Sequence, residues 1–400
     1  MNSFMKKFVF LLLSAAMVLV LTGCDHGGSI YSNYREVEQL QLIRTLGVDP
    51  APEGLRLTVS SGKTGEDGSS TLMSRPGKSV ALAVEDLQHY SSSQELYYAH
   101  ADYFLFGEEA ARQNIHEVLG YIERSAAIPM GVGLFVVRGG TAEELMTGSG
   151  TDSYDISETL SSFERVEKRH GHMYVFTCTE TARALSESGA ALICALSAQP
   201  LEGSVYGQDA EVTAVPDGFG ILSDGKLAGY ISAEDALAAC LLTGNAGLAS
   251  LAVSDGDGGT VTLTLERNGV EFHPVWAGNG LERVNVEVSV DARIIEMSQP
   301  HAVTDKAFLN TLGTELKQEL TRRVEAVLAQ ESALGADFLG LGNKLREQDF
   351  NRFQDMDPAW QDAVQGLDLQ VNVDAHIGRT SELKDSVSVS GKGADGNASP

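Results

Sequence analysis

Apolar residues recur along this chain in two rhythms, one of period two and one of helical period, and together they predict a mixture of strands and helices. The run Val37, Leu40, Leu42, Ile43 and Leu46 to Val48 stops at Gly47 and Asp49-Pro50, and residues 55–60 then alternate as a strand would. Residues 60–76, rich in Gly, Ser and Thr, read as a polar loop, and 79–89 follow with helical spacing. A strand-like Tyr103-Phe104-Leu105-Phe106 leads into a helix through Ala111, Ile115, Val118, Leu119 and Ile122, and a second apolar strand, Leu134-Phe135-Val136-Val137, comes after it. Thr141 with Glu144 three residues on has the form of a capping box and starts another helix. Residues 154–168 read as a helix, 172–178 as a strand, and 191–197 as a short buried strand.

A polar stretch at 199–208 and the sequence Pro216-Asp217-Gly218 mark a boundary between two regions. Beyond it, residues 219–222, the pair Asp224-Gly225 and residues 227–231 predict a hairpin on a type I′ turn, and Ser232 caps the helix that follows. Residues 261–265 alternate strictly, Asn268-Gly269 predicts a turn, and 270–276 return as a second hairpin. Residues 284–297 form a long alternating strand. A helix over 305–329 carries Phe308, Leu309, Leu312, Leu316, Leu320, Val324, Val327 and Leu328 on one face. A last strand over 367–377 alternates Val371, Val373, Ala375 and Ile377, and the polar residues 381–400 read as a disordered tail. The fold class expected is α+β, with mixed sheets, helices packed on them, and two to three domains. The divisions are 1–23, 24–34, 35–210, 217–380 and 381–400.

The first 24 residues stand apart. Lys6 and Lys7 precede an apolar run from residue 8 to 21, shorter than the ~20 residues that span a bilayer, and the run ends in Leu21-Thr22-Gly23-Cys24. This looks like a bacterial lipobox, so the expectation is a signal peptide over 1–23, cleavage before Cys24, and lipid attached to the Cys24 thiol. Residues 25–34 then serve as a tether. No later stretch is apolar enough to cross a membrane.

Charge narrows the partners. With 55 acidic and 29 basic residues the formal net charge is −26, and no basic run interrupts it, so nucleic acid is excluded as a partner. The same charge repels anionic headgroups, which leaves anchoring to the lipid. Apart from Cys24 the cysteines are Cys178, Cys194 and Cys240, each in an apolar stretch that favours a buried free thiol over a disulfide framework.

Candidate chemistry is sparse. Asp255, Asp257 and Glu266 fall at the first, third and twelfth positions of a calcium loop, but Thr260 stands where the sharp turn needs glycine, so a tight turn between strands is the reading. His170 and His172 lack the further ligands of a metal site, and His116-Glu117 lacks a second histidine. His100, after Leu96-Tyr97-Tyr98-Ala99, reads as a histidine hydrogen-bonded in or near the core. Nucleophile elbow, phosphate loop and dinucleotide fingerprint are all missing. The sequence points to no catalytic residue, no metal and no cofactor.

The order of segments resembles a known family. Arg35-Glu36 running on to Leu40 and Leu46-Gly47-Val48-Asp49 is similar to the opening of the C-subunit lipoproteins of spore germinant receptors, the Ger(x)C family. Residues 96–100, Phe106-Gly107-Glu108, Ala111-Arg112 and Ile115 resemble a second signature, which Arg124, Leu134 to Val137 and Ala142-Glu143-Glu144-Leu145 continue. Lys226-Leu227-Ala228-Gly229-Tyr230, Glu234 and Leu242-Thr243-Gly244-Asn245 resemble the start of the family's C-terminal domain. Asp349-Phe350, Phe353, Pro358-x-Trp360 and the strand ending at Gly378 resemble its end. Relatives place a Trp-Asp-Arg-Glu-like sequence directly after the lipidated cysteine, whereas here residues 25–34 intervene.

The resemblance implies a non-enzymatic mixed α+β protein in about three domains. It implies a lipoprotein on the outer surface of the spore inner membrane, anchored by a diacylglyceryl group on Cys24. Its implied partners are the membrane-embedded A and B subunits of a nutrient germinant receptor, in a complex required for germination. A solute-binding lipoprotein with a cleft between two lobes is the alternative, and a carboxylate-dependent cell-envelope hydrolase stands behind it.

Overall fold

The computed structural model describes residues 39–378 apart from 64–69, 92–93, 149–154, 201–211, 279, 300, 302–304 and 357–359. The expected signal peptide over 1–23, Cys24, the expected tether and the expected tail over 381–400 lie outside the described residues.

The first region is built on three strands with unbroken apolar, buried runs: β6 (Tyr103–Gly107), β7 (Gly133–Val137) and β8 (Ala190–Pro200), the last over its first seven residues. Side chains alternate across a strand, so such runs must be covered on both faces. In β6, Tyr103 and Leu105 enter one hydrophobic cluster while Phe104 and Phe106 enter the other, and Phe135 and Val137 part from Leu134 and Val136 in the same way. β2 (Thr45–Ala51), β6, β7 and β8 run parallel, and antiparallel strands extend both sides: β3 (Gly54–Lys63) and β4 (Ser70–Gly77) beyond β2, β9 (Val212–Ser223) and β10 (Lys226–Ile231) beyond β8. The sheet order is β10-β9-β8-β7-β6-β2-β3-β4. A small parallel pair joins β1 (Leu40–Leu42) to β5 (Glu95–Tyr97).

One face of the large sheet is covered by α1 (Val80–Tyr90), α3 (His116–Arg124) and α6 (Cys178–Ser188). A short helix, α2 (Glu108–Gln113), leads out of β6. The other face carries α4 (Ala142–Thr147) and α5 (Ile156–His170), and its core is continuous with that of a second sheet. Within the shared core lies α7 (Ala236–Thr243), in which every residue from Ala236 to Leu242 is buried, as expected of a helix apolar all round.

The second sheet has the order β11-β12-β13-β14, from Ser250–Ser254, Thr260–Ala277, Gly280–Met297 and Asp368–Gly378. Val284, Val286, Val288, Val290 and Ala292 on β13 are buried on the inner face. Against that face lies α8 (Lys306–Leu334), 29 residues long, presenting Leu312, Leu316, Leu320, Val324 and Val327. Three short helices, α9 (Leu341–Gln348), α10 (Phe350–Met356) and α11 (Trp360–Val364), then lead to β14.

The expected α+β class is the one observed, and several local expectations hold. Thr141 and Glu144 form both halves of a capping box. Asp224 and Gly225 have φ of 48° and 71°, the pair of positive values that a type I′ turn requires. Asp305 caps α8.

Four expectations are corrected. Asn268-Gly269 is not a turn: both stay extended inside β12, opposite Val290 and Ser289, and the chain reverses between Ala277 and Gly280. Residues 172–178 are not a strand. Only a single bridge from Thr177 to Gly133 forms, and Thr177 caps α6 in a capping box with Glu180. The loop expected over 60–76 contains β4, an edge strand whose polar side chains hide its period. The helix expected through Ala111 to Ile122 is broken at Asn114 into α2 and α3, where the Ile115 amide donates instead to the Gly225 carbonyl. The hairpin β9–β10 pairs with β8 along the large sheet.

Phe135 is fully buried between strands and α5, with its ring edge-on to Tyr103 and Phe163. Phe135→Ala is expected to lower the unfolding free energy by about 3–5 kcal/mol in denaturant titrations, with the slope of the transition unchanged.

Candidate functional site

The signature residues converge at the carboxyl ends of the parallel strands, where they fasten one element to the next. Asp49, at the end of β2, accepts the Ala142 and Glu143 amides at 2.8 Å each and so caps α4 from a distant strand. Gly47 makes that approach possible, because a Cβ there would stand 2.6 Å from the Met146 sulfur and 2.8 Å from the Ala142 methyl. Burial raises the Asp49 carboxyl above its ordinary range, against the pull of the two amides.

Beside it, Glu108 accepts from Arg112 and from the Gly139 amide at 2.5 Å, which joins α2 to the loop after β7. Burial alone would raise the Glu108 carboxyl, but the Gly139 amide, Arg112 and Tyr230 outweigh it and hold it below the usual range. Arg138 leaves the end of β7 to stack over the Tyr230 ring at 4.7 Å and to pair with Asp217 at 3.4 Å. Residues from the second signature and from the start of the C-terminal signature thus meet across β10. The Ile115 amide bonded to Gly225, at 2.8 Å, closes the same contact.

The remaining signatures do similar work in the second region. Glu234 holds α8 through Arg322 at 2.5 Å and, by its carbonyl, through Arg323 at 2.7 Å. The Leu242 carbonyl, at the end of α7, accepts from Lys344 of α9 at 3.1 Å. Trp360 packs at a tilt against the buried Phe353 with ring centroids 5.1 Å apart and donates its indole N–H to Asp337 at 2.8 Å. Phe350 is 60% exposed. Asp337, which the sequence reading passed over, accepts the Leu341 and Gly342 amides as well, and only its place before α9 could have marked it as a cap.

The residues weighed for chemistry are scattered. His100 is exposed rather than in the core, with its ring 5.8 Å from that of Tyr97. It lines a cleft of about 360 Å³ with Asp102, Tyr103 and Glu164, in which the Tyr103 hydroxyl donates to Glu164 at 2.9 Å. His172 is half-buried and accepts the Ser250 amide at 3.3 Å, which ties β11 to the segment before α6, and burial lowers its pKa. The His116 ring lies against Gly225, where a Cβ would approach it to 2.2 Å.

Asp255 accepts the Asp257 and Gly259 amides and meets His301 at 3.0 Å, so its loop is the tight turn expected. Glu266 pairs with Arg293 instead of turning toward Asp255. Cys178, Cys194 and Cys240 are buried free thiols, and burial pushes Cys178 up to about 12. Among the described residues no three His, Cys, Asp or Glu side chains are placed to hold a metal ion, and no helix is long and apolar enough to cross a membrane.

Comparison with known proteins follows the same division. A family described as the spore germination protein N-terminal domain matches residues 33–198, and one described as spore germination B3/GerAC-like, C-terminal, matches 217–381. No curated protein matches the chain. A solved structure titled the crystal structure of the GerBC protein shares the fold, with 18% identity, a TM-score of 0.52, and 83% of this chain and 96% of that chain covered.

Two substitutions test the fastening role. Asp49→Ala should cost about 1–2 kcal/mol by freeing two buried amides of α4. Trp360→Phe keeps the ring but removes a donor to Asp337, and should cost about 1–3 kcal/mol. Equilibrium unfolding checks both, and an unchanged midpoint would show that these contacts do not hold the fold.

Proposed function

The chain belongs to the GerAC-like family of spore germination proteins, receptor subunits rather than enzymes, and from that premise we propose that it is the lipid-anchored subunit of a nutrient germinant receptor. Its role in spore germination follows from the family. The proposal adds that Cys24 carries the lipid, that the body stands on the outer surface of the spore inner membrane, and that it acts by assembling with membrane-embedded A and B subunits.

The observation that carries the reading is the order of parts: a lipobox ending at Cys24, followed at residue 33 by the first of two germination domains that run to residue 381. Physical arguments support it. A diacylglyceryl group brings two acyl chains, each contributing about 0.8 kcal/mol per buried methylene, which is the two-chain arrangement that stable anchoring needs. Anchored proteins meet their partners at high effective concentration, so individually weak contacts suffice for assembly. The net charge of −26 keeps the body off anionic headgroups. The signature residues described above serve intramolecular contacts, which suits a protein that works through its surface.

Cys24→Ala is expected to abolish incorporation of labelled palmitate, to release the protein from the membrane fraction and to impair germination. Membrane attachment that persists in this variant would overturn the anchor. Crosslinking in spore membranes should recover the protein with multi-span partners, and its recovery alone would overturn the assembly.

A further inference from the structure

At the C-terminal end of α8 the side chain of Glu331 is 0% exposed, and neither of its carboxyl oxygens makes a well-formed hydrogen bond, with only the Leu339 amide and the Asp337 carboxyl close by. It is flanked by a second buried acid, Asp337, 2% exposed, on which three donors converge: the amides of Leu341 at 2.5 Å and Gly342 at 2.8 Å, and the Trp360 indole at 2.8 Å. Lys344 reaches the same place from α9, donating to the Leu339 carbonyl at 2.7 Å and to the Leu242 carbonyl of α7 at 3.1 Å, with its ammonium over the Phe272 ring. Glu347 stands beyond Lys344 on α9, and α11 contributes the uncharged Trp360.

A fully buried carboxylate beside a second acid and near only one amide is far costlier than a buried carboxylic acid, so a group in this setting keeps its proton. Charge balance leads to the same result. One ammonium can offset one carboxylate, and three N–H donors already suit Asp337 to the anion. A second negative charge at Glu331 would be unscreened in the core.

We propose that Glu331 is a proton-loaded latch: as a neutral acid it lets α8 close on the Asp337 hub, and its ionisation opens the junction of α8, α9 and α11. The latch bears on both regions, because Asn343 of α9 donates to Glu187 of α6 at 2.8 Å across the cleft between them. Burial, and then the neighbouring Asp337, raise the Glu331 carboxyl well above its ordinary value of 4.5. The folded chain therefore holds this proton more tightly than the unfolded chain. The stabilisation is complete below the unfolded value, declines as pH rises above it, and is gone once pH passes the folded value.

Two measurements on the full-length chain test the latch. Folding equilibria of the wild type and Glu331→Gln should diverge with pH, the wild type losing up to about tenfold per pH unit relative to the variant above the ordinary glutamate range. Parallel curves between about pH 5 and about pH 9 would overturn the proposal. Independently, Trp276→Phe leaves Trp360 as the single tryptophan of the two in the sequence. Its emission should shift on alkaline titration before global unfolding, and infrared spectra at neutral pH should show the carbonyl band of a protonated buried carboxyl. Constant Trp360 emission, or no such band, would overturn the proposal even if Glu331→Gln fails to fold.

Discussion

Three strands with unbroken apolar runs need cover on both faces, and most of the architecture answers to that need. β6 and β7 place Phe104, Phe106 and Phe135 in full burial, each contributing about 2–3 kcal/mol of transfer free energy. One face is closed by α1, α3 and α6. The other is closed by α4 and α5 together with elements of the second region, so the two regions share one core through α7. An amphipathic helix could have covered that second face alone. Using a helix apolar all round instead makes each region part of the other's interior, and relative movement of the two must then repack α7.

Given that frame, the signature residues have a common physical task. Parallel strands end at one edge of a sheet, and the helices that follow begin there with unsatisfied amides. Asp49 and Glu108 supply carboxylate oxygens to those amides or to nearby loops, and glycines at 47 and 107 let the backbones come close enough. The ion pairs at the rim, such as Arg138 with Asp217, are part-exposed and contribute little individually. Family resemblance on this chain therefore marks how the elements are tied together, while the contacts made with other subunits belong to the surface.

The buried acid pair at the end of α8 departs from that economy. Asp337 does what Asp49 does, receiving amides of a following helix, yet Glu331 beside it makes no well-formed hydrogen bond of that kind. A leucine would fill similar space at lower electrostatic cost. Retaining a carboxyl there makes the junction sensitive to its proton count, which no apolar side chain could do.

The sequence by itself determined the unbroken apolar strand runs, the capping box at Thr141, the I′ turn at Asp224-Gly225 and the long face of α8. These are short-range signals, in which each residue is read with neighbours at most four positions away. It also determined the acidic charge and the Cys24 pattern. Tertiary structure decided whatever depended on a distant partner. Asn268-Gly269 stays extended because β13 pairs with it along its whole length, and β4 is a strand only because β3 lies beside it, whereas the capping box of Thr177 with Glu180 was a local signal masked by the apolar residues before it. The Asp337 hub was hidden because the Trp360 indole reaches it from α11, and only packing reveals that Glu331 beside it is fully buried.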